Sequence, residues 1–596
     1  MLFCLSIIAF YYGICFLSLN ANANGELTQV FKNFTYKNCF VLSALVFLFG
    51  SIIVLLLRQN HFIYFWDYSG YWTPSIENMP RFIDWSAFWS IKSVFYSINH
   101  DDYNLFLPAL IALPLKIVGC SFSKYVSINY IMFLVPSILV QALVGRKLVK
   151  NKKASNSFIF VCLAFLFAAN YYAMLRGYID VAILLPASIA MYHFIDFDFK
   201  KVVISRDFAI ASMLVLGWIS RRYFIYFIIG FVAAMLFKAL VAYLKDKTSL
   251  KIVIKNFFII VGISIGLLLL LFPRFFIRAL IQNYADMYSA YNCDLASKII
   301  SLLNSFGVYT AIIIIITGLF CIIHKKHIVN YFALIIMILV STVIFWQTQV
   351  MDIHHKLILN VPIFCIFLIN LDFFNSLKNK KLNFIQNSVI AICTCLVATN
   401  FFFTFSPVIK SLNIPVLFSE KYKPLVRNDI EQIETLLNKL NLMTAGTGDY
   451  VYVLASGRIL NADILRKIYF PNYNNALHNL YQTCDVDLRD GFPVEFFNAK
   501  YVITTLPVDL HLVSGQEVVK YLAENINNKN TYLGKHYQQI DKIQLDKGYV
   551  AIIYQKVSNF NSADYDKLID YYDSLYPTHK NLFKERIQKY KESIHE

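Results

Sequence analysis

The chain has 596 residues, of which 58% are hydrophobic and only 15% are charged, and its formal net charge is +17. This apolar content is too high for a soluble globular protein and indicates an integral membrane protein. The excess of Lys and Arg does not indicate a nucleic-acid partner, because these residues lie in short clusters between apolar runs, as membrane topology signals do.

Apolar runs of roughly membrane-spanning length follow one another through the first two thirds of the chain. They lie near residues 2–19, 39–57, 124–145, 157–175, 178–196, 207–220, 223–243, 252–273, 309–323, 329–346, 354–371 and 386–405. The first run is either an extra span or a signal sequence, since Asn20-Ala21-Asn22-Ala23 loosely resembles a cleavage site; we favour the span. The predicted fold class is a multi-pass α-helical membrane protein with about eleven or twelve spans.

Basic clusters orient these spans. Those at 146–153, 200–201, 245–251, 325–326 and 378–381 all fall on one side of the bilayer if each run crosses once, and that side is predicted to be the cytoplasm. The opposite face receives the loop 58–123 and everything after about residue 406. Within this loop, Leu105–Gly119 is apolar but contains Pro108 and Pro114, so we expect a helix that lies in or re-enters the outer leaflet.

The composition becomes polar from about Asn413, and short strand-like runs there alternate with helical patterns. The expected strands are Tyr450–Ala455, Tyr501–Thr505 and Tyr549–Tyr554, and the expected helices include Ile430–Leu442 and Gln516–Asn525. We therefore predict an N-terminal hydrophobic segment and linker over 1–38, a transmembrane domain over 39–406 with the outer loop 58–123, and a soluble extracytoplasmic α/β domain over 407–596.

Aromatic residues surround one acid directly after the first long run, in Trp66-Asp67-Tyr68-Ser69-Gly70-Tyr71-Trp72. A carboxylate at a membrane surface is a candidate general base, and aromatic rings beside it can stack on a sugar. We therefore single out Asp67 as the base and Tyr68, Tyr71 and Trp72 as sugar contacts. The alternative is an interfacial aromatic belt beside an ordinary loop acid.

A second acid, Asp180, is predicted to lie at the outer mouth of the next hairpin, four residues after Arg176. An acid at the edge of a membrane helix is unfavourable unless it is paired or hydrated, so a structural ion pair with Arg176 and a role in binding substrate both remain open. Arg221 and Arg222 lie between two apolar runs, where guanidinium groups bind phosphate bidentately or else extend toward lipid headgroups.

Two adjacent histidines, His354 and His355, open the run that contains Pro362. Imidazole groups at the outer end of a helix can hold a phosphate or polarise a leaving group. Neighbouring residues on a helix point about 100° apart, so the two histidines make a poor metal pair by themselves.

Taken in chain order, these segments resemble the GT-C superfamily of membrane glycosyltransferases, which includes the protein O-mannosyltransferases and the lipid A aminoarabinose transferase. The landmarks are Asp67, His100-Asp101-Asp102-Tyr103-Asn104, Gly119-Cys120-Ser121, Gly145-Arg146-Lys147-Leu148, Arg176 with Asp180, Gly217–Arg222, and His355–Pro362. The sequence departs from the family pattern where it lacks the prolines of a His-Pro-Pro entry and where it carries His-His-Lys in place of Arg-Tyr.

The resemblance implies inverting transfer of a sugar from a polyprenyl-phosphate donor to a glycan, lipid or protein acceptor on the outer face of the bacterial inner membrane. It implies that Asp67 is catalytic and that membrane lipid, but no nucleic acid, is a partner. No cofactor is implied, although a divalent metal is compatible. Substrate contacts would come from Tyr68, Tyr71, Trp72, His100, Asp101, Arg176, Asp180, Arg221, Arg222, His354 and His355. A flippase for a lipid-linked sugar and a polysaccharide polymerase or ligase remain alternatives.

Overall fold

The computed structural model describes residues 1–21, 35–150, 157–246, 249–406, 416–472, 477 and 479–594. Parts of three predicted features lie outside the described residues: the cleavage-like sequence after Ala21, the basic residues at 152–153 and 247, and the start of the predicted soluble domain at 407–415. The chain forms two compact units. The first comprises Met1–Gln59, Asp67–Gln282 and Cys293–Pro424, and the second comprises Asn60–Trp66, Asn283–Asn292 and Leu425–Glu596.

All regular secondary structure in the described residues of the first unit is helical. Up to residue 148 its α-helices are Leu2–Asn20, Tyr36–Leu57, Trp72–Glu77, Met79–Ile83, Ala87–His100, Phe106–Val118, Phe122–Asn129 and Val135–Leu148. Beyond it they are Ser157–Phe165, Tyr172–Leu175, Leu184–Ile195, Ile204–Ser220, Phe224–Asp246, Leu250–Leu271, Pro273–Ile281, Leu295–Phe306, Val308–His324, Ile328–Trp346, Leu357–Asp372 and Lys380–Phe405.

Among the described residues, seven helices are long and apolar enough to cross a membrane, and an eighth is added if the pair Leu295–Phe306 and Val308–His324, bent by 85°, forms one span. The predicted class, a multi-pass α-helical membrane protein with a C-terminal α/β region, is confirmed. This number is smaller than the eleven or twelve spans predicted, because several of the predicted runs form helices that are too short to cross a membrane by themselves. Examples are Ile179–Ile195 and Leu357–Asp372.

Local chemistry explains where individual helices begin and break. Tyr36–Leu57 begins at the side chain of Thr35, which accepts the amide of Asn38. The predicted span 157–175 is broken after Phe165, where the buried Asn170 side chain donates to the carbonyl of Ala164 in place of a backbone group. The apolar stretch with Pro108 and Pro114 forms the 13-residue helix Phe106–Val118, which is too short to cross a bilayer alone.

The second unit contains a five-stranded sheet in the order β2-β1-β3-β5-β4. The strands are β1 Val451–Val453, β2 Leu480–Gln482, β3 Tyr501–Leu506, β4 Tyr537–Gln544 and β5 Val550–Lys556. Strand β1 pairs in parallel with β2 and β3, whereas β5 pairs antiparallel with β3 and β4. The sequence predicted β1, β3 and β5 but missed β2, which has three residues, and β4, which is a polar edge strand.

Helices cover both faces of this sheet. Glu517–Ile526 and Ser562–Leu575 pack on the face that carries Tyr452 and Val502. On the other face, Val451 and Val453 pack against the helices Ile430–Thr444 and Ala462–Lys467 and against Ile63 and Phe65 from the predicted outer loop. The unit also contains the helices Tyr284–Met287, Asp487–Asp490 and Lys584–Ser593. The second unit is therefore an α/β structure that includes two segments from earlier in the chain.

Candidate active site

Asp67 lies in the short 3-10 turn Trp66–Tyr68, at a position that is neither fully buried nor fully exposed. One of its carboxylate oxygens accepts a hydrogen bond of 2.6 Å from the hydroxyl of Tyr103. The Tyr103 side chain lies in the loop after Ala87–His100 and is 46% exposed. The pair therefore presents an oriented carboxylate at a surface that water can reach.

A buried ion pair lies beside this turn. The carboxylate of Asp180 is fully buried, and its Oδ1 lies 2.7 Å from Nε of Arg221. The hydroxyl of Tyr223 lies 2.8 Å from the same oxygen and 3.0 Å from the carbonyl of His354. Arg221 donates to the hydroxyl of Tyr71 at 2.5 Å. Burial raises the pKa of Tyr71 by more than the positive charge of Arg221 lowers it, so this hydroxyl stays neutral.

The ring of Tyr103 connects the carboxylate of Asp67 with the buried pair. The guanidinium carbon of Arg221 lies 4.8 Å from the ring centroid of Tyr71 and 5.7 Å from that of Tyr103. The two tyrosine rings are 5.6 Å apart. Asp67, Tyr103, Tyr71, Arg221 and Asp180 therefore form one continuous group, and the sequence analysis had singled out all of these except Tyr103.

Three arginines gather around the loop that precedes Tyr103. Nη1 of Arg222 lies 2.6 Å from Oδ1 of Asp102, and Nη1 of Arg278 lies 3.7 Å from the same oxygen. Arg278 also donates to the backbone carbonyls of His100 and Asp101. Arg274 contacts the imidazole of His100. We call Arg222, Arg274 and Arg278 the arginine group.

The two acids beside the arginine group contact it in different ways. The carboxylate of Asp102 pairs with Arg222 and Arg278, whereas Asp101 offers Arg278 its backbone carbonyl and its carboxylate accepts a hydrogen bond of 2.6 Å from Ser97. The Asp102 side chain is 40% exposed and that of Arg222 is 21% exposed. A partly solvated site with three guanidiniums suits an anionic ligand such as a phosphate.

Arg176 does not pair with Asp180, so the structural ion pair between them, one of the two alternatives left open by the sequence, is excluded. Asp180 is paired with Arg221, whereas Arg176 donates to the carbonyl of Lys423 at 2.7 Å and packs on the ring of Tyr422. The residue after it, Gly177, has a φ of +93°, and a Cβ there would lie 2.2 Å from the Tyr68 carbonyl oxygen. This turn therefore supports the backbone of the Asp67 segment rather than contacting substrate.

Trp72 is also placed differently from the prediction. Its indole is 4% exposed, donates to the carbonyl of Cys120 at 2.9 Å and packs edge-on against Phe122. An indole that is buried on protein cannot stack on a sugar, so its predicted role as a sugar contact is corrected to packing. Tyr68 is partly exposed and remains a candidate contact.

The two histidines are packed inward. The ring of His354 is stacked on Tyr178 with a centroid distance of 4.4 Å, and Asp352 lies 3.6 Å from its Nδ1. The ring of His355 packs edge-on against that of Tyr223 with a centroid distance of 4.9 Å. Both histidines therefore support the site from behind and are not placed at the exposed loop.

Sequence reasoning missed Tyr103, Asp102, Arg274 and Arg278 as individual site residues. Tyr103 and Asp102 lie in a pentapeptide that had been noted only as a landmark. The two arginines are four residues apart directly after Pro273, where the preceding long apolar helix has just ended. A pair of guanidiniums at that spacing on an outer helix was a signal that could have identified them.

No protein-family model and no curated protein sequence matches the chain. Among solved structures, it is similar to ArnT from Cupriavidus metallidurans bound to undecaprenyl phosphate, with a TM-score of 0.39 and 12% identity over 62% of this chain and 71% of that chain. It is also similar to the apo oligosaccharyltransferase of Archaeoglobus fulgidus, with a TM-score of 0.41 and 11% identity over 85% of this chain and 73% of that chain. Similarity at this level assigns no substrate and no site residue to the chain.

Proposed function

We propose that the protein is an inverting glycosyltransferase that moves a sugar from a polyprenyl-phosphate donor to an acceptor hydroxyl. The observation that carries this proposal is the placement of Asp67 and Asp102 around Tyr103. The hydroxyl of Tyr103 holds the carboxylate of Asp67, and the residue before it, Asp102, contacts the arginine group. A base and a cationic site on one loop are the two elements that displacement of a phosphate by a hydroxyl needs.

In the proposed reaction, the acceptor hydroxyl attacks the anomeric carbon of the donor sugar from the face opposite the phosphate. A bond forms between the acceptor oxygen and this carbon while the bond from the carbon to the phosphate oxygen breaks. The electron pair leaves with the polyprenyl phosphate, and the hydroxyl proton passes to Asp67. The arginine group stabilises the negative charge that develops on the leaving phosphate.

The remaining residues have supporting roles in this proposal. The buried Asp180–Arg221 pair holds the rings of Tyr71 and Tyr103 in place, and Tyr68 is the candidate sugar contact. The sequence left open whether Arg221 or Arg222 binds the phosphate. We assign this role to Arg222, because the charge of Arg221 is already neutralised by Asp180 in a buried pair. His100 and Asp101 shape the loop on which the arginine group rests.

The proposal includes a cellular setting. The donor and the membrane lipid reach the first unit from the bilayer, the second unit lies on the extracytoplasmic side of an inner membrane, and the acceptor is a glycan, a lipid or a protein. A lipid-linked donor suits that side because nucleotide sugars are confined to the cytoplasm. Short clusters of Lys and Arg at 200–201, 325–326 and 378–381 support this orientation.

The test uses the full chain in detergent with a panel of polyprenyl-phosphate-linked hexoses and pentoses and membrane extract as the acceptor source. Release of polyprenyl phosphate is measured for the wild type, for Asp67→Asn and for Asp84→Asn. The last variant is a matched control, since Asp84 is an exposed acid of the same predicted outer loop. We expect Asp67→Asn to lose at least about a hundredfold in kcat and the control to keep full activity.

Other outcomes would change the proposal. Turnover that survives Asp67→Asn at full rate would contradict the assigned base. A protein that binds the donors but releases no polyprenyl phosphate, and that moves them across vesicle bilayers, would be a flippase instead. Transfer only from pyrophosphate-linked oligosaccharides would identify a polymerase or ligase.

A further inference from the structure

A cavity of about 570 Å³ lies within the second unit. It begins at Gln482, the last residue of β2, and β2 runs parallel to β1, so the carboxyl ends of both strands lie at the same edge of the sheet. In open α/β sheets, ligands bind outside the carboxyl ends of the strands. The volume also falls within the range of small-ligand sites, about 300–1,000 Å³. The cavity therefore has the position and the size of a ligand site.

Two segments of the second unit line this cavity. One runs from the end of β2 to Glu495, and the other is the helix Lys584–Ser593, which contributes Arg586, Lys589 and Tyr590. The two segments approach closely at Gly491, whose φ is +70°. A Cβ at this position would lie 2.9 Å from Nη1 of Arg586 and would push the guanidinium away. The absence of a side chain at position 491 therefore allows Arg586 to lie against the loop.

The cations in the lining are balanced to different degrees. Nε of Arg489 lies 2.7 Å from Oδ1 of Asp490, and its Nη2 lies 2.9 Å from Oδ2 of the same side chain. Arg586 instead donates through Nη1 to the backbone carbonyls of Asp490 at 2.7 Å and Phe492 at 3.5 Å. Carbonyl groups are neutral, so Arg586 keeps its formal positive charge, and the exposed Lys589 lies three residues further along the same face of the helix. Together they suit one anionic group.

The rest of the lining suits a sugar ring better than a second negative charge. Glu495 is exposed, and its carboxylate accepts hydrogen bonds from hydroxyl groups but repels a polyanion. Tyr590 is partly exposed, and it is held by a hydrogen bond from its hydroxyl to Asn498 and by packing on Phe497 with a centroid distance of 4.8 Å. An aromatic ring that is held in this way presents a flat apolar surface to the face of a sugar.

We propose that this cavity binds a saccharide unit that carries one anionic group, either a carboxylate or a phosphate. Arg586 and Lys589 bind the anionic group, Glu495 accepts hydrogen bonds from the hydroxyls, and Tyr590 packs on the sugar ring. The site lies entirely in the second unit and requires neither Asp67 nor a lipid-linked donor, so it goes beyond the proposed function. It makes the second unit a recognition domain for acidic glycans.

The test measures binding to the full chain in detergent by isothermal titration calorimetry, with no donor present. The probes are cellobiouronic acid, which carries one carboxylate, glucose 6-phosphate, their neutral counterparts cellobiose and glucose, and inorganic phosphate. We expect one of the two acidic sugars to bind at least about tenfold more tightly than its neutral counterpart and than inorganic phosphate. The acidic sugar that binds more tightly identifies the anionic group.

Two variants assign this binding to the cavity. We expect Arg586→Gln to raise Kd for the acidic sugar by about 10- to 100-fold and Lys589→Gln to raise it by about threefold to tenfold. If thermal unfolding shows that Arg586→Gln does not fold, Lys589→Gln carries the test, because Lys589 is exposed. Lys591→Gln is the matched control, since Lys591 lies on the same helix outside the lining and pairs with Asp566 at 2.6 Å. Its Kd should stay within about twofold of the wild type.

Four outcomes would overturn the inference. Neutral sugars that bind as tightly as the acidic ones would show that the charge is not recognised, and inorganic phosphate that binds as tightly would show an anion site without selectivity for sugar. Absence of binding by every probe, or an unchanged Kd in every folded variant, would also contradict it. None of these measurements depends on turnover. Full activity of Asp67→Asn with sugar binding intact would therefore overturn only the base assigned in the proposed function.

Discussion

Two neighbouring arginines of the first unit form ion pairs in opposite surroundings. Arg221 pairs with Asp180, and their side chains are 11% and 0% exposed. Arg222 pairs with Asp102, and their side chains are 21% and 40% exposed. The first pair is enclosed by tyrosines, whereas the second lies within the arginine group on an open loop. In the proposed function, the enclosed pair supports the structure and the open pair lies where the phosphate of the donor binds.

The contributions of the two ion pairs to stability are expected to differ in the same way. Removing one partner of a buried ion pair leaves an uncompensated charge and typically costs about 3–5 kcal/mol of stability. An exposed pair typically contributes about 0–1 kcal/mol, because water solvates either partner after the other is lost. Mutations in the two pairs should therefore separate stability from activity.

The largest stability effect is expected for Asp180→Ala. This change leaves the buried Arg221 without its carboxylate, so the free energy of unfolding in mixed micelles should fall by about 3–5 kcal/mol. The double variant Asp180→Leu with Arg221→Met removes both charges and should recover most of that loss. A single variant that unfolds like the wild type would show that Asp180 is not needed to balance Arg221.

A smaller effect, confined to activity, is expected for Arg222→Gln. Loss of one guanidinium from the proposed phosphate site should lower kcat/KM for the lipid-linked donor by about 10- to 100-fold. The free energy of unfolding should change by less than about 1 kcal/mol, because the pair with Asp102 is exposed. Arg81→Gln is the matched control, because Arg81 lies in the predicted outer loop 58–123, outside the arginine group, and packs on the ring of Trp85. Equal kinetics for the two variants would remove Arg222 from the site.

The smallest effect is expected from metal removal. A monophosphate leaving group can be stabilised by guanidinium charge alone, so EDTA should leave turnover within about twofold of the untreated enzyme. A loss that added Mg²⁺ or Mn²⁺ restores would show instead that a metal ion shares the phosphate with the arginine group.

The sequence was sufficient to predict the helical membrane class, three of the five strands, and Asp67, Asp180, Arg221 and Arg222 as candidate site residues. It could not predict their partners, because each ion pair joins distant positions of the chain, 120 residues apart for Arg222 and Asp102. The spacing of apolar residues along one sequence carries no information about contacts between distant positions. The incorporation of the segment 60–66 into the second unit was missed for the same reason, since its partners lie beyond residue 424.

Burial was the second property that sequence could not supply. Trp72 and Tyr68 lie in the same aromatic heptapeptide and have the same potential to stack on a sugar. The structure buries Trp72 against Phe122 and leaves Tyr68 partly exposed, because the short helix Trp72–Glu77 turns the indole inward. The choice between them depends on how the helices pack.

The most direct test of this account is to measure kcat and the free energy of unfolding for Asp67→Asn and Asp180→Asn on the same preparations. The account predicts that Asp67→Asn loses at least about a hundredfold in kcat at unchanged stability, whereas Asp180→Asn loses mainly stability. An Asp67→Asn enzyme that keeps its kcat while Asp180→Asn is stable but inactive would reverse the assignment and place the chemistry at the buried pair.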